Sequence, residues 1–143
     1  MHFQPETLFT RADYRALSRF RYEIRRFLHF SEEAARAEGL EPQQHQLLLA
    51  IEGLDDHGSP TIRQLAEHLI LRHHSVVGLV DRLEERGLVE RVRGAEDRRQ
   101  VCVRLSAAGS EILHRLSRIH REELRRSGPK LVEALGGVIE SVQ

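Results

Sequence analysis

The spacing of apolar residues predicts a chain built mainly of helices. Between residues 11 and 38, apolar side chains recur every three or four positions with arginines between them, which predicts a long amphipathic helix that Gly39 ends. Residues 42–54 form the next predicted helix, in which Pro42 takes the first position, where its missing N–H costs nothing. The stripe of the first helix is either intramolecular core or a subunit interface, and it comprises Leu17, Phe20, Ile24, Phe27 and Leu28.

Two short helices follow, separated by a break of only a few residues. Thr61 and Gln64 have the spacing of a capping box, so a helix is expected to begin at Thr61. A second amphipathic helix is predicted from about Arg72 to Arg86, with Gly87 as its C-terminal cap. Two amphipathic helices joined in this way are the pattern of a helix-turn-helix.

The next segment alternates apolar and polar residues and then returns to helical spacing. Residues 88–93 and 100–106 predict an antiparallel hairpin, or wing, whose tip at 94–99 is charged. Ser106 is expected to cap a helix that runs to about Arg126. The pattern therefore predicts a mainly α fold with a small β hairpin, whose winged helix-turn-helix lobe covers about residues 42–106.

The C-terminal segment is predicted to contain a second helix. Ser127, Gly128 and Pro129 predict a break, and residues 130–142 then repeat apolar side chains at helical spacing. The tandem glycines Gly136 and Gly137 weaken this helix in isolation by roughly 1 kcal/mol each. Because it needs packing to form, the last helix is expected to lie in an interface.

Length and composition fit one domain and exclude several classes of protein. The chain has 143 residues, of which 40% are apolar and 31% charged. The net charge is zero, so any interaction with nucleic acid has to rest on local placement of charge. No apolar run is long enough for a transmembrane helix, the first residues lack the pattern of a signal peptide, and Cys102 is a single cysteine. A cytoplasmic protein is therefore expected.

The second short helix and the wing tip carry residues suited to DNA. Recognition helices read base edges mainly through their N-terminal residues, and arginine at the tip of a thin ribbon can enter a minor groove. An acid beside such an arginine can hold it extended before it binds. The alternatives are a solvated helix face and an ordinary polar turn. The candidate residues are Arg72, His73, His74, Ser75, Gly78 and Arg82 on the helix, and Arg98 and Arg99 beside Glu96 and Asp97 at the tip.

A resemblance to a known family covers essentially the whole chain. The segment LVERVRGAEDRRQVCVRLSAAG (88–109) resembles the wing signature of the MarR family of bacterial transcription factors. That signature is D-x-R in the wing, alternating strand residues, and then L-[ST]-x-x-G at the start of a helix. LVDRLEERGLVER (79–91) is similar to the end of the family's recognition helix and its first wing strand. The matching residues are Asp97, Arg99, Leu105, Ser106 and Gly109.

The resemblance implies a single domain over residues 1–143 that acts as a homodimer on double-stranded DNA. Dimerisation helices at about 11–38 and 107–142 would intertwine between subunits, and the operator would be a pseudo-palindrome. The family most often represses transcription and is released by a small-molecule effector. Carried over by position, Arg99 enters the minor groove and Asp97 orients it, while His73, His74 and Ser75 face the major groove and Arg72 and Arg82 contact phosphates.

The chain departs from the family pattern at the turn between the two short helices. Many members have glycine before an apolar residue and then serine as the helix cap, whereas this chain has Ile70, Leu71 and Arg72. A β-branched residue is poor at positive φ. The turn is therefore expected to avoid that conformation, and the recognition helix to lack its usual cap.

Ligand, metal and redox chemistry are further hypotheses. The resemblance implies a small aromatic effector in a cleft lined by Phe20, Ile24, His45 and His114, and the alternative for these residues is an ordinary packed core. The spacing of the nine histidines does not favour a metal site, and Cys102 is expected to be structural or exposed, on the strand face opposite to Val101 and Val103. No cofactor and no enzyme activity are expected, because no catalytic motif stands out. The alternatives to a DNA-binding repressor are a winged-helix module for protein contacts and a metal- or redox-responsive regulator.

Overall fold

A computed structural model describes residues 8–140, and its elements follow the order that the apolar pattern predicts. Five helices and one antiparallel hairpin confirm the mainly α winged-helix fold. The predicted last residues of the C-terminal helix, 141 and 142, lie outside the described residues. The elements are α1 (Arg11–Ala37), α2 (Pro42–Gly53), α3 (Ile62–Leu69), α4 (His73–Glu85), β1 (Val89–Arg93), β2 (Val101–Leu105) and α5 (Ala107–Glu140).

The chain divides into two compact units. One unit, termed the winged-helix unit, runs from Ala34 to Ser117. Of the other unit, the structure describes residues 8–33 and 118–140, and it is termed the terminal-helix unit. The division into units does not test the prediction that residues 1–143 form a single domain, which stays a prediction.

The core of the winged-helix unit is built from one face of each of its elements. Leu65 of α3 and Val76, Val80 and Leu83 of α4 are fully buried, as the helical spacing predicts. These residues fix how α4 is rotated about its own axis, because their side chains can be buried together in only one rotation. Leu47, Leu48 and Ile51 of α2 and Val103 of β2 complete the same core.

The predicted helix ends are confirmed where glycine or a capping box marks them. Gly39 has φ 80°, and its N–H and that of Leu40 donate to the carbonyls of Arg36 and Ala35, which closes α1. At the start of α3, Gln64 N–H donates to Thr61 Oγ1 at 3.1 Å, and Thr61 N–H donates to Gln64 Oε1 at 2.9 Å. Local sequence signals therefore determine these boundaries.

The turn after α3 contradicts the prediction that it avoids positive φ. Ile70 lies in the left-handed region at φ 56° and ψ 47°. Its N–H donates to the carbonyl of Glu67 at 3.3 Å, and Leu71 N–H donates to that of Ala66 at 3.0 Å, which is the hydrogen-bond pattern of a Schellman motif. The Ile70 side chain is 90% exposed, whereas Leu71 packs against the core. The two hydrogen bonds and the burial of Leu71 offset the backbone strain.

Replacing Ile70 with glycine should stabilise the fold. A non-glycine residue in the left-handed region costs roughly 1–2 kcal/mol, and glycine recovers part of it after its own entropy loss. We expect the free energy of unfolding in urea to rise by about 1 kcal/mol. Gly87→Ala is the matched control, because Gly87 ends α4 at φ 72° and, among the described atoms, nothing lies within 4 Å of its added Cβ. The Gly87→Ala change should lower the free energy of unfolding by a similar amount. An Ile70→Gly protein less stable than the wild type would contradict the backbone strain inferred at Ile70.

The C-terminal helix contradicts the predicted break at Ser127–Gly128–Pro129. Helix α5 is 34 residues long and continues through Pro129 without a break. Proline normally excludes helical backbone at the preceding residue by clashing with its Cβ, but Gly128 has none. Ser127 Oγ donates to the Glu123 carbonyl at 2.9 Å, and Ala134 is 3% exposed beyond the proline. The helix therefore continues because the residue before the proline lacks a Cβ and the chain packs again at Ala134.

Strand β2 departs from the burial that its alternation predicts. Val101 is exposed, but Cys102 and Val103 are both buried, at 5% and 0% exposure. The segment before α3 covers the strand, because Val103 N–H donates to the Pro60 carbonyl at 2.9 Å and Thr61 pairs with Cys102. The Cys102 thiol is therefore an interior group.

No helix in the described part of the chain combines the length and the apolar character that crossing a bilayer requires.

Candidate nucleic-acid interface

The first turn of α4 presents an open polar face. The helix begins at His73, one residue after the predicted start, and Arg72 precedes it in extended conformation. Within residues 8–140, no side chain caps this helix, as predicted, so its first N–H groups remain available to an anion. Arg72, His73, His74 and Arg82 are exposed, and Ser75 and Gly78 are half-buried. The buried face opposite them directs these side chains away from the core.

The wing is a two-stranded hairpin with a tightly closed tip. Val89 pairs with Leu105 and Arg93 with Val101, within one residue of the predicted strands. Gly94 N–H donates to the Gln100 carbonyl at 3.0 Å and Gln100 N–H to that of Asp97 at 3.1 Å. A Cβ on Gly94 would lie 2.5 Å from the Asp97 carbonyl oxygen, so the tip closes only around glycine.

Asp97 and Arg99 form a preorganised pair at the wing tip. Arg99 Nε donates to Asp97 Oδ1 at 3.1 Å, and Nη2 donates to Oδ2 at 3.3 Å. The Arg99 backbone N–H also donates to Oδ1, at 3.0 Å. The hydrogen bonds from the Arg99 side chain, followed by that from its backbone, lower the pKa of Asp97 below its usual value, so the carboxylate stays ionised at neutral pH. The Arg99 side chain is nevertheless 91% exposed.

Other cations of this surface remain uncompensated. Among the described residues, Arg72, Arg82 and Arg98 have no ion-pair partner, whereas Arg104 pairs with Glu90 across the hairpin at 3.0 Å. The Arg98 carbonyl accepts a hydrogen bond from Arg93 Nη1 at 3.1 Å, which holds the backbone of the tip. A neutral protein thus keeps free positive charge where α4 and the wing are exposed.

The L-S-x-x-G segment anchors the start of α5 to the end of α4. Ser106 Oγ accepts from Gly109 N–H at 3.1 Å, which confirms the predicted cap, and donates to the Gly87 carbonyl at 2.6 Å. Ser106 N–H donates to the Leu88 carbonyl at 3.0 Å. A Cβ on Gly109 would lie only 2.0 Å from that carbonyl oxygen. This glycine therefore permits the close approach that fixes the base of the wing.

Arg91, which the sequence reasoning missed, joins β1 to α4. Its Nη2 donates to Asp81 Oδ1 and its Nη1 to Glu84 Oε1, both at 2.6 Å. The hydrogen bond to Asp81 is the main cause that raises the pKa of Arg91, with Glu84 adding to it against the effect of partial burial. Asp81 and Glu84 lie three residues apart on one helix face, a signal that could have suggested a basic partner nearby.

The predicted ligand residues belong to different units. Phe20 and Ile24 lie in the terminal-helix unit, while buried His45 and exposed His114 lie in the winged-helix unit. Their shared role in binding stays a prediction. Within the terminal-helix unit, a cavity of about 500 Å³ is lined by other residues, among them Phe27, Phe30, Leu124 and Leu131.

One histidine lies beside the rings of this cavity. His120 packs edge-on against Phe27 and Phe30 and shares a hydrogen bond of 2.8 Å with Ser31. In the described chain, no three His, Cys, Asp or Glu side chains are grouped closely enough to hold a metal ion.

Comparison with known proteins points to regulators of transcription. A model of the MarR family matches residues 38–100. YfiV of Bacillus subtilis (strain 168), an uncharacterised HTH-type transcriptional regulator, is 35% identical over 86 residues, which are 60% of this chain and 51% of YfiV. The HTH-type transcriptional repressor IacR of Pseudomonas putida is 31% identical over 81 residues, 57% of this chain and 48% of IacR. The chain thus spans about half the length of these curated relatives.

A solved structure matches the fold over most of the chain. A mutant of MepR from S. aureus, bound to an oligodeoxyribonucleotide, superposes with a TM-score of 0.66. The match covers 95% of this chain and 100% of that one at 19% sequence identity. At that identity the likeness concerns the fold.

Proposed function

We propose that this chain is a transcriptional regulator of the MarR family that binds a specific sequence of double-stranded DNA. The proposal rests above all on the wing tip, where Arg99 is extended by Asp97 and remains 91% exposed. A narrow minor groove concentrates negative potential, which an extended guanidinium fits. DNA bound to the MepR mutant supports the same use of this fold.

The proposed contacts divide into reading and anchoring residues. His73, His74 and Ser75 face the major groove, with Gly78 allowing close approach. Arg72 and Arg82 contact phosphates on either side of the reading turn. At the wing, Arg99 enters the minor groove, Asp97 orients it, and Arg98 adds positive charge to the tip. Binding should therefore weaken steeply as salt concentration rises.

We propose that the regulator is a homodimer. The large apolar side chains that are exposed in the described chain are concentrated in the terminal-helix unit, and a surface so rich in them favours a protein partner. A second copy suits this surface because a two-fold axis would present two reading helices to one operator. Those in the terminal-helix unit are Leu8, Phe9, Tyr14, Leu17, Tyr22, Leu28, Ile119, Leu124, Val132, Leu135 and Ile139.

We further propose that the protein represses transcription in the cytoplasm and is released by a small aromatic effector. Repression is supported by IacR, whose name describes it as a repressor. An aromatic effector is supported by the cavity beside Phe27 and Phe30, since aromatic rings stack favourably. Phe20, Ile24, His45 and His114 do not line this cavity, and their role in binding an effector stays a separate prediction.

Selection of bound duplexes from a random DNA pool tests the function and the dimer together. We expect an inverted repeat whose half-site centres lie about one helical turn apart, roughly 34 Å. Val132→Glu, at a side chain that is 71% exposed, should yield a monomer in light scattering and lose this repeat.

The control variant Leu49→Glu changes an exposed leucine of the winged-helix unit, where no dimer contact is proposed, and should keep both mass and motif. A pool without a common motif would exclude specific DNA binding. A wild-type monomer would exclude the dimer.

A further inference from the structure

The ion pairs of Arg91 connect the two surfaces that the proposed function uses. Asp81 and Glu84 lie on α4, whose first turn carries the reading residues, and Arg91 lies in the first strand of the wing. Both guanidinium–carboxylate distances are 2.6 Å, and Arg91 N–H also donates to Glu84 Oε2 at 3.3 Å. Two nitrogens of one planar group are thus held by two different carboxylates, which restricts its rotation.

A continuous series of contacts runs from this junction to the wing tip. Two residues beyond Arg91 on the same strand, Arg93 donates from Nη1 to the Arg98 carbonyl. Arg98 is followed directly by Arg99, which Asp97 holds extended. Displacement of β1 relative to α4 would therefore also move the proposed minor-groove arginine.

The Arg91 guanidinium is poorly suited to bind DNA itself. Its side chain is 28% exposed, compared with 91% for Arg99, and two carboxylates already neutralise its charge. A phosphate approaching it would meet Asp81 and Glu84 as well, and like charges repel. Its ion pairs instead connect β1 to α4.

We propose that Arg91 is a positioning residue that fixes the wing relative to α4 and so sets the spacing between the minor-groove and major-groove contacts. This inference rests on the proposed function. Without the Arg91 ion pairs, the hairpin still forms, because the backbone pairing of β1 with β2 and the Glu90–Arg104 pair hold its strands together. The tip then samples several positions relative to α4, and Arg99 contributes little to binding.

Removing negative charge from α4 distinguishes a positioning role of Arg91 from a purely electrostatic one, because the two predict opposite changes in DNA affinity. Asp81→Asn combined with Glu84→Gln removes two negative charges from the DNA-binding unit, so simple electrostatics predicts tighter binding. Loss of the Arg91 ion pairs predicts weaker binding to DNA. Glu90→Gln is the control, because Glu90 pairs with Arg104 inside the hairpin and its loss should leave affinity unchanged or slightly higher.

A double-mutant cycle with Arg99 gives the decisive measurement. In the wild-type background, Arg99→Ala should weaken binding to the selected duplex by roughly thirtyfold. In the Arg91→Ala background, the same change should weaken binding by less than about threefold, because Arg99 contributes little to binding once the wing is no longer held in position. In the Arg104→Ala background, which removes the same charge from the same hairpin, the Arg99 effect should stay at its wild-type size.

Arg91→Lys should restore part of the coupling, since lysine can hold one carboxylate but not two at fixed angles. All variants are compared below their unfolding transitions, monitored by circular dichroism. Additive Arg91 and Arg99 effects, or tighter binding by the Asp81→Asn, Glu84→Gln protein, would overturn the inference alone. Failure of the wild-type protein to select any sequence would instead overturn the proposed function.

Discussion

Arg99→Ala is expected to lower the affinity for the selected operator by roughly thirtyfold or more. An arginine that contacts base edges or a narrow groove contributes about 1–3 kcal/mol, and a dimer loses two such contacts. Even at the lower limit, about 2 kcal/mol in total corresponds to this factor. The measurement is a fluorescence anisotropy titration of labelled duplex at fixed salt concentration, because affinity for DNA depends strongly on salt.

Variants at the same tip show whether placement or charge is responsible. Asp97→Asn makes the protein more positive, yet we expect weaker binding, because Arg99 loses the carboxylate that extends it. Arg99→Lys keeps the charge but loses the planar group and should fall between wild type and alanine. Arg104→Ala, the control in the same hairpin, should change affinity by less than about threefold. Equal losses for Arg99→Ala and Arg104→Ala would refute the assignment of Arg99.

Gly109→Ala is expected to destabilise the winged-helix unit more than any other glycine-to-alanine change outside the wing tip. The added Cβ would lie 2.0 Å from the Leu88 carbonyl oxygen, which also accepts the Ser106 N–H. Backbone atoms cannot move aside as a side-chain end can, so α5 must separate from the base of the wing. We expect a loss of about 3 kcal/mol, at the upper end for overpacked sites.

Urea denaturation measures this loss. Its midpoint should fall by about 1–2 M for a protein of this size. Gly53→Ala is the control within the same unit, since among the described atoms nothing lies within 4 Å of its added Cβ. That change should leave stability equal or raise it by up to about 1 kcal/mol. A Gly109→Ala protein as stable as Gly53→Ala would show that the close approach to Leu88 is not required.

The locally encoded features of this chain were predictable because their causes lie within a few residues. The capping box at Thr61, the helix stops at Gly39 and Gly87, and the extent of the two wing strands all follow from short-range hydrogen bonding and periodicity. The D-x-R pair belongs to the same class, because Asp97 and Arg99 interact over two residues.

Predictions failed where tertiary packing opposed a local preference. Ile70 adopts positive φ because Leu71 packs against the core, and α5 passes through Pro129 because Gly128 has no Cβ to clash with the proline and Ala134 is buried beyond it. Burial in β2 does not alternate, because the segment before α3, some 40 residues away in the chain, covers the strand. None of these partners is visible in a local window of sequence.

The sequence by itself therefore determined the order of the elements, the winged helix-turn-helix pattern and the charged wing with its Asp97–Arg99 pair. The tertiary structure alone decided the conformation of the turn at Ile70, the continuity of α5 and the attachment of the wing to α4 through Arg91. The physical reason is the range of the interactions. Periodicity and capping act within one or two turns, whereas burial and the Arg91 ion pairs, which join residues seven and ten positions apart, form only when separate elements have packed together.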